Sequence, residues 1–229
     1  MTDPLLSLQV KALRCARGHQ RLRDGLSFEV RARGAIGISG ANGSGKTTLL
    51  DTLCGLCIPL GGDVKVAVGG TSQIITRWSY EKRRAAGLRR LFQKSPGLPN
   101  RPLWELFESF GVLHRSSSSI ANILWSVDNT LWCKTRLGEC APDQLMRCPN
   151  AIAGNLSFGQ TRVLMISLLL QSGGKLLLLD EPTVGLSEEM RQHVSAAIRR
   201  SIELGACAIV ADHDDAFLRS VCSEILVLG

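Results

Sequence analysis

Gly40-Ala41-Asn42-Gly43-Ser44-Gly45-Lys46-Thr47 is a complete G-x-x-x-x-G-K-[ST] run. Its residue types spell out a chemistry. The glycines at 40, 43 and 45 free the backbone so that successive N–H groups can turn toward an anion. Lys46 reaches the β- and γ-phosphates of a nucleotide as a point charge, and Thr47 offers a hydroxyl to Mg²⁺. Asn42, Ser44 and Thr48 complete the candidate cradle. The flanks agree: residues 35–39 form a short apolar run that predicts a strand, and residues 48–53 predict a helix. A strand, loop and helix in that order set the phosphate on the helix N-terminus. A chance glycine-rich turn would not bring both flanks with it.

At 229 residues the chain suits one large domain, or one domain with a sizeable insertion. With 45% apolar and 21% charged residues it has ordinary globular composition, and its core should need no disulfide or metal staple. The net charge of +7 points to an acidic partner, whether nucleotide, nucleic acid or anionic membrane face. Its arginines cluster at 14–33 and 77–101, and a solvated basic face explains them equally well. The N-terminus lacks a basic segment followed by a long apolar one, so no signal peptide is expected. The longest apolar stretches, 163–170 and 176–179, fall well short of the roughly 20 residues a membrane span needs. The expectation is a cytoplasmic protein that meets a membrane through a partner.

Eight cysteines, at 15, 54, 57, 133, 140, 148, 207 and 222, read as thiols in that compartment. Cys54-Gly55-Leu56-Cys57 is a lone C-x-x-C at the end of the helix after the loop, where packed thiols are favoured over zinc or redox chemistry. The spacings of Cys133, Cys140 and Cys148 are too wide for a zinc knuckle.

Alternation predicts half-buried strands over 5–13, 26–30 and 63–68, the first two parted by a basic turn at 17–21 and the last closed by Gly69-Gly70. The turn-rich segment 95–100 opens a stretch to about 155 that holds Trp104, Trp125, Trp132 and a serine run at 116–119. This stretch is expected to be an inserted helical subdomain. Beyond it a helix is expected over Phe158–Gln171, a fully buried strand over 176–179 and an amphipathic helix over 187–204 with Met190, Val194, Ala197, Ile198 and Ile202 on one face. A buried strand at 206–211, a short helix at 214–219 and a last strand at 225–228 follow. Alternating strands and helices imply a parallel sheet with the nucleotide at its C-terminal edge. The fold class is therefore α/β: a P-loop core with a parallel sheet, an N-terminal antiparallel β-layer and the helical insertion. The nucleotide-binding core would be 1–94 and 156–229, and the subdomain 95–155.

An apolar strand ending in Asp180-Glu181-Pro182 puts one carboxylate where it can hold Mg²⁺ through water, and a second where it can polarise an attacking water. Pro182 stops the strand. In Asn155-Leu156-Ser157-Phe158-Gly159-Gln160, Ser157 is a good N-cap, and the helix start behind it is an anion site. Taken alone, that is simply a capped helix.

With these segments in order, the chain resembles the ATP-binding cassette (ABC) ATPases over nearly its full length. The matching pieces are the loop 40–47, Gln93 after a strand, the signature 156–160, Asp180-Glu181 and His213. The resemblance implies that Lys46 and Thr47 hold phosphates and Mg²⁺, Gln93 senses Mg²⁺ and the attacking water, and Asp180 binds Mg²⁺ through water. It implies Glu181 as the base and His213 at the γ-phosphate. Ser157, Gly159 and Gln160 would close over the ATP of a second cassette in a head-to-tail homo- or heterodimer. His213 could otherwise be a polar cap for the helix from Asp214. His19, His114 and His193 have no such context and are expected at the surface.

Three departures from the family pattern stand out. Members usually place an aromatic before the second strand, stacked on adenine. Here Arg17 or Gly18 stands there with His19 beside it, so Arg17 or His19 is expected to stack on the base and relax its selectivity. The loop after Pro182 ends in Ser187 where Asp is usual, and Phe158 replaces the commoner signature glycine. Gly87-Leu88-Arg89-Arg90-Leu91-Phe92-Gln93 and the signature look like the importer cassettes for branched-chain amino acids, urea and related amides.

The resemblance implies an ATP-hydrolysing subunit that powers solute transport through separate transmembrane permease subunits, peripheral on the inner face of the cell membrane. No direct nucleic-acid contact is expected. The alternative is a soluble ABC ATPase acting on nucleic acid, ribosomes or cluster assembly. Translation-type members carry tandem cassettes, and repair-type members carry long coiled-coil or zinc insertions; the sequence shows neither. It ends at Gly229 just after a strand, so no C-terminal regulatory domain is expected. Intact Lys46, Asp180, Glu181 and His213 argue against a non-hydrolysing cassette.

Overall fold

A computed structural model describes residues 7–17, 20–68, 70–93, 105 and 157–228. The expected helical subdomain 95–155, Glu105 apart, lies outside these residues, as do His19, His114 and Leu156. The chain divides into two compact units. One comprises Met1–Gln93, Gly174–Pro182 and Arg199–Gly229, and the other Lys94–Gly173 and Thr183–Ile198.

Two sheets build the first unit among the described residues. One is parallel, with strand order β6-β7-β8-β3-β9. Its members are β3 (Ala35–Gly40), β6 (Leu88–Leu91), β7 (Leu176–Asp180), β8 (Cys207–Ala211) and β9 (Glu224–Leu228). Every residue of β7 and β8 is buried, which explains why those strands read as unbroken apolar runs. The other sheet is antiparallel, with strand order β2-β1-β4-β5. It comprises β1 (Ser7–Arg17), β2 (Gln20–Arg31), β4 (Gly61–Val68) and β5 (Thr71–Ile74). Helix α1 (Lys46–Cys54) shares one apolar core with both sheets: Leu49, Leu50 and Leu53 join Leu8, Val10 and Val30 from one and Leu178, Ile209 and Leu228 from the other.

The antiparallel layer departs from its expected outline in three places. The basic stretch 17–21 is not a broad turn, because the strands run on until Arg17 pairs with Gln20 and Ala16 with Arg21. Alternation breaks at Ala12, which adopts φ 47° where the β1 register shifts. This bulge adds one residue and so returns Leu13 and Cys15 to the core face. Opposite it, Gly62 at φ 87° has no room for a Cβ, which would strike the Ala12 carbonyl. Beyond Gly70 the chain turns back as β5, an exposed edge strand that its polar start concealed.

The arginines at 77–101 are not all a solvated face. Arg83, on the short helix α2 (Tyr80–Ala85), is buried, and all its N–H groups are spent on main-chain carbonyls. Nη1 donates to Thr52 and Leu53 (3.1 and 2.6 Å), Nη2 to Ile75 and Thr76 (2.7 and 2.9 Å), and Nε to Trp78 (3.1 Å). A cation at the last carbonyls of α1 also suits the helix dipole. Burial lowers the Arg83 pKa, yet a guanidinium stays charged.

In the second unit, α3 (Phe158–Gln171) opens with a full capping box. The Ser157 hydroxyl accepts from Gln160 N–H (3.2 Å), and the Gln160 side chain accepts from Ser157 N–H (2.9 Å). Helix α4 (Glu188–Glu203) starts here, and Ser187 Oγ accepts from Met190 N–H (3.3 Å), so the serine caps as expected. Val194 and Ile198 are buried on its apolar face, while His193, expected at the surface, is half-buried. The last helix, α5 (Asp215–Val221), belongs to the first unit.

Candidate functional site at the edge of the parallel sheet

Parallel pairing sends β3, β6, β7 and β8 in one direction, so their C-terminal ends share an edge. The candidate residues of the first unit lie there. The loop 40–47 leaves β3, Gln93 follows β6, Asp180-Glu181 ends β7 and His213 follows β8. Connections at such an edge are where open α/β sheets bind ligands.

The loop has the geometry its glycines foretell. Gly43 and Gly45 adopt φ 86° and 98°, in the left-handed region. At Gly40 a Cβ would meet the Leu228 carbonyl and the Ser44 hydroxyl (2.7 Å). Gly45 is the N-cap of α1, no side chain caps that end, and no acidic residue stands in its first turn. The first N–H groups of α1 are thus left for an anion. The Lys46 ammonium is buried and folds back over the loop to donate to the Gly40 and Ala41 carbonyls (2.5 and 3.1 Å). The Ser44 hydroxyl is buried and has no hydrogen-bond partner. A buried, orphaned hydroxyl within such a loop is what a phosphate cradle would leave.

The acidic strand end splits into two environments. Asp180 is fully buried. Burial raises its pKa, opposed by the Arg90 charge and by hydrogen bonds from the Thr47 hydroxyl and from Arg90. The Thr47 and Asp180 oxygens therefore come together, a hard-oxygen pair suited to Mg²⁺, which takes one or two protein ligands besides phosphate and water. Glu181 is half-buried and holds φ 47°, an uncommon conformation for a residue with a Cβ. Its N–H donates to Ala211 O (2.7 Å), and Gln93 Nε2 donates to its Oε2 (2.7 Å). The turn separates the two carboxylates, one turned inward and one toward the sheet edge.

After β8, Asp212 is fully buried, and its Oδ1 accepts from the N–H groups of His213 (2.8 Å) and Asp214 (3.0 Å). It fixes a turn that presents the His213 ring, 58% exposed, with Nδ1 3.4 Å from the same oxygen. The cap of α5 is Asp214, which accepts from Phe217 N–H (3.0 Å), so His213 is not spent on capping.

In the second unit Gly159 leaves space for little else. A Cβ there would lie 3.1 Å from both the Gly185 carbonyl and Met190 Sδ. Gly185, at φ 74°, lies directly under the Phe158 ring, which is itself largely exposed. Arg17 closes β1 opposite Gln20.

Sequence reading passed over Arg90 and Asp51. Arg90 lies on β6 with its side chain wholly buried, and its Nη2 bridges Asp51 Oδ1 (3.0 Å) and Asp180 Oδ2 (2.9 Å). In a run of arginines nothing marks one as interior; only its place on a strand between buried leucines hints at it. Cys54 of the C-x-x-C is buried, and burial raises its thiol pKa.

The family model described as ABC transporter matches residues 23–184. The cytochrome c biogenesis ATP-binding export protein CcmA of Roseobacter denitrificans is 31% identical over 98% of this chain and 91% of its own. The energy-dependent translational throttle protein EttA of Mycobacterium tuberculosis is 31% identical over 91% of this chain, which spans about a third (32%) of that relative's length. Among solved structures, an ATP-binding cassette of an ABC transporter in its ADP conformation superposes with a TM-score of 0.73. That match is 20% identical and covers 97% of this chain and 87% of the other.

Proposed function

Since the chain belongs to the ABC transporter ATP-binding cassette family, we propose that it binds and hydrolyses ATP and so drives solute transport through separate permease subunits. The observation that carries this reading is the gathering of Lys46, Thr47, Gln93, Asp180, Glu181 and His213 at one edge of the parallel sheet. The uncapped N-terminus of α1 and the Lys46 ammonium bind the phosphates, with Asn42, Ser44 and Thr48 around them. Thr47, Asp180 and Gln93 would hold Mg²⁺, which supplies charge neutralisation across the β- and γ-phosphates. Glu181 takes a proton from the attacking water, and Gln93 Nε2 fixes the direction its carboxylate faces. His213, held outward by Asp212, contacts the γ-phosphate. Arg17 or His19 stacks on the base, so ATP and GTP are expected to bind alike.

Ser157, Gly159 and Gln160 would close over the nucleotide of a second cassette, and the region 100–150 would dock the permease. The near end-to-end match with an export protein supports a transporter subunit working at the inner face of the membrane. The details at 87–93 and 156–160 support an importer-type partner for branched-chain amino acids, urea or related amides. A second reading, a cassette acting on ribosomes, draws on the likeness to the translational throttle protein.

Glu181→Gln tests the mechanism. Nucleotide binding is expected to persist while hydrolysis falls by about 10²–10⁴-fold, the usual range for a lost general base. With Mg-ATP the variant is expected to run as a dimer in light scattering. Undiminished turnover, or a monomer at saturating Mg-ATP, would sink the composite site. Affinity capture of the same variant from detergent-solubilised membranes separates the two readings. A stoichiometric multi-span partner supports transport, and recovery with ribosomes supports the second reading.

A further inference from the structure

Arg90 is an unexpected charge in the core among the described residues. Its side chain has no exposure, and two of its nitrogens, Nε and Nη1, are buried without a hydrogen-bond partner. Its Cζ stands 5.3 Å from the centroid of Phe92, which meets Tyr80 edge-on at 6.4 Å. Burying a guanidinium with part of its donor set unused is costly. A core position on β6 would tolerate an apolar side chain at no such cost, so the arginine calls for an account.

Geometry supplies one. Nη2 bridges two carboxylates from different elements, Asp180 at the end of β7 and Asp51 on α1. Asp51 lies four residues after Thr47 on α1, and such positions share one helix face. The Thr47 hydroxyl is close enough to the Asp180 carboxylate to help lower its pKa. Through Asp51 and Asp180, Arg90 thus links α1, which carries Thr47, to the end of β7. Arg90 ties the helix that carries one metal-binding oxygen to the strand that carries the other.

We propose that Arg90 is a positioning residue for Mg²⁺, a clamp through Asp51 and Asp180 that sets the spacing between the Thr47 and Asp180 oxygens. The inference rests on the Mg-nucleotide reading of the site. It assigns Arg90 no contact with nucleotide or metal. The clamp therefore acts on the metal-dependent part of binding and leaves the phosphate contacts of the loop alone.

The test is a titration of the full-length chain with a fluorescent ATP analogue, first in EDTA and then with Mg²⁺ added at fixed nucleotide. For Arg90→Gln the half-saturating Mg²⁺ concentration is expected to rise about tenfold or more, as when groups that orient metal ligands are removed. Affinity in EDTA should stay near that of the wild type. Asp51, 26% exposed, can be changed with less risk to the fold. Asp51→Asn is expected to shift the Mg²⁺ midpoint the same way by a smaller factor, since it removes one of the two carboxylates that Arg90 bridges. If Arg90→Gln does not fold, Asp51→Asn decides alone. A merely structural Arg90 would lower binding in EDTA and in Mg²⁺ together, and that result overturns the proposal, as does an unmoved Mg²⁺ midpoint in Asp51→Asn. A wild-type protein that binds no nucleotide in either condition would instead refute the site reading on which the clamp depends.

Discussion

Glu181 is held at φ 47°, where an L-residue with a Cβ is disfavoured by about 1–2 kcal/mol. Two hydrogen bonds keep it there: its N–H to Ala211 O, and its carboxylate from Gln93. The neighbouring Asp180 completes β7 with ordinary extended geometry and faces inward. The strained turn is thus what lets two consecutive acids serve different ends, and strain of this kind gathers at functional positions. Removing it separates stability from activity. Glu181→Gly is expected to stabilise the fold by about 1 kcal/mol, which raises Tm by roughly 2–4 °C in a chain of this size. On the proposed role of Glu181 as the base, the same change is expected to abolish hydrolysis. Calorimetry beside a phosphate-release assay reads both, and a lower Tm would show that the Gln93 bond outweighs the backbone strain.

Among the elements, α3 opens with a cap whose residues are also those proposed to meet a second cassette. Its capping box satisfies donors at both ends of the Ser157–Gln160 pair. Ser157→Ala removes one of these bonds and is expected to cost about 1 kcal/mol in urea unfolding. Ser157→Asp, which keeps the cap, should restore most of that stability but place a negative charge where the phosphates of a second cassette would come. Rescue of stability without rescue of turnover is the expected pattern, and full rescue of both would argue that Ser157 serves only as a cap. Elements of this kind were legible because their chemistry is local: a glycine pattern, a capping serine, an apolar strand ending in acid. Those the sequence hid depend on distant partners. Arg83 and Arg90 look solvated until α1 and the neighbouring strands bring carbonyls and carboxylates to them. The Ala12 bulge makes sense only against Gly62, and β5 exists because β4 offers it an edge.

For the molecule as a whole, stability should grade from the middle of the parallel sheet outward. β7 and β8 are buried along their entire length and pair with each other and with strands on either side. Opening their amides requires breaking the core that both sheets and α1 share. β5 sits at the edge of the antiparallel sheet with all four residues exposed, and one flank of its hydrogen bonds faces no strand among the described residues. Exchange at buried central strands follows global unfolding, while exposed edges open locally at far lower free energy. Native-state hydrogen exchange is therefore expected to find the amides of 207–211 and 177–180 among the slowest, with 71–74 exchanging orders of magnitude faster. Raising urea should accelerate the first set steeply and leave the second nearly flat, because only global opening exposes much surface. Equal urea slopes for both sets would mean that the antiparallel layer and the parallel sheet unfold as one, and that β5 is pinned by contacts its exposure does not disclose.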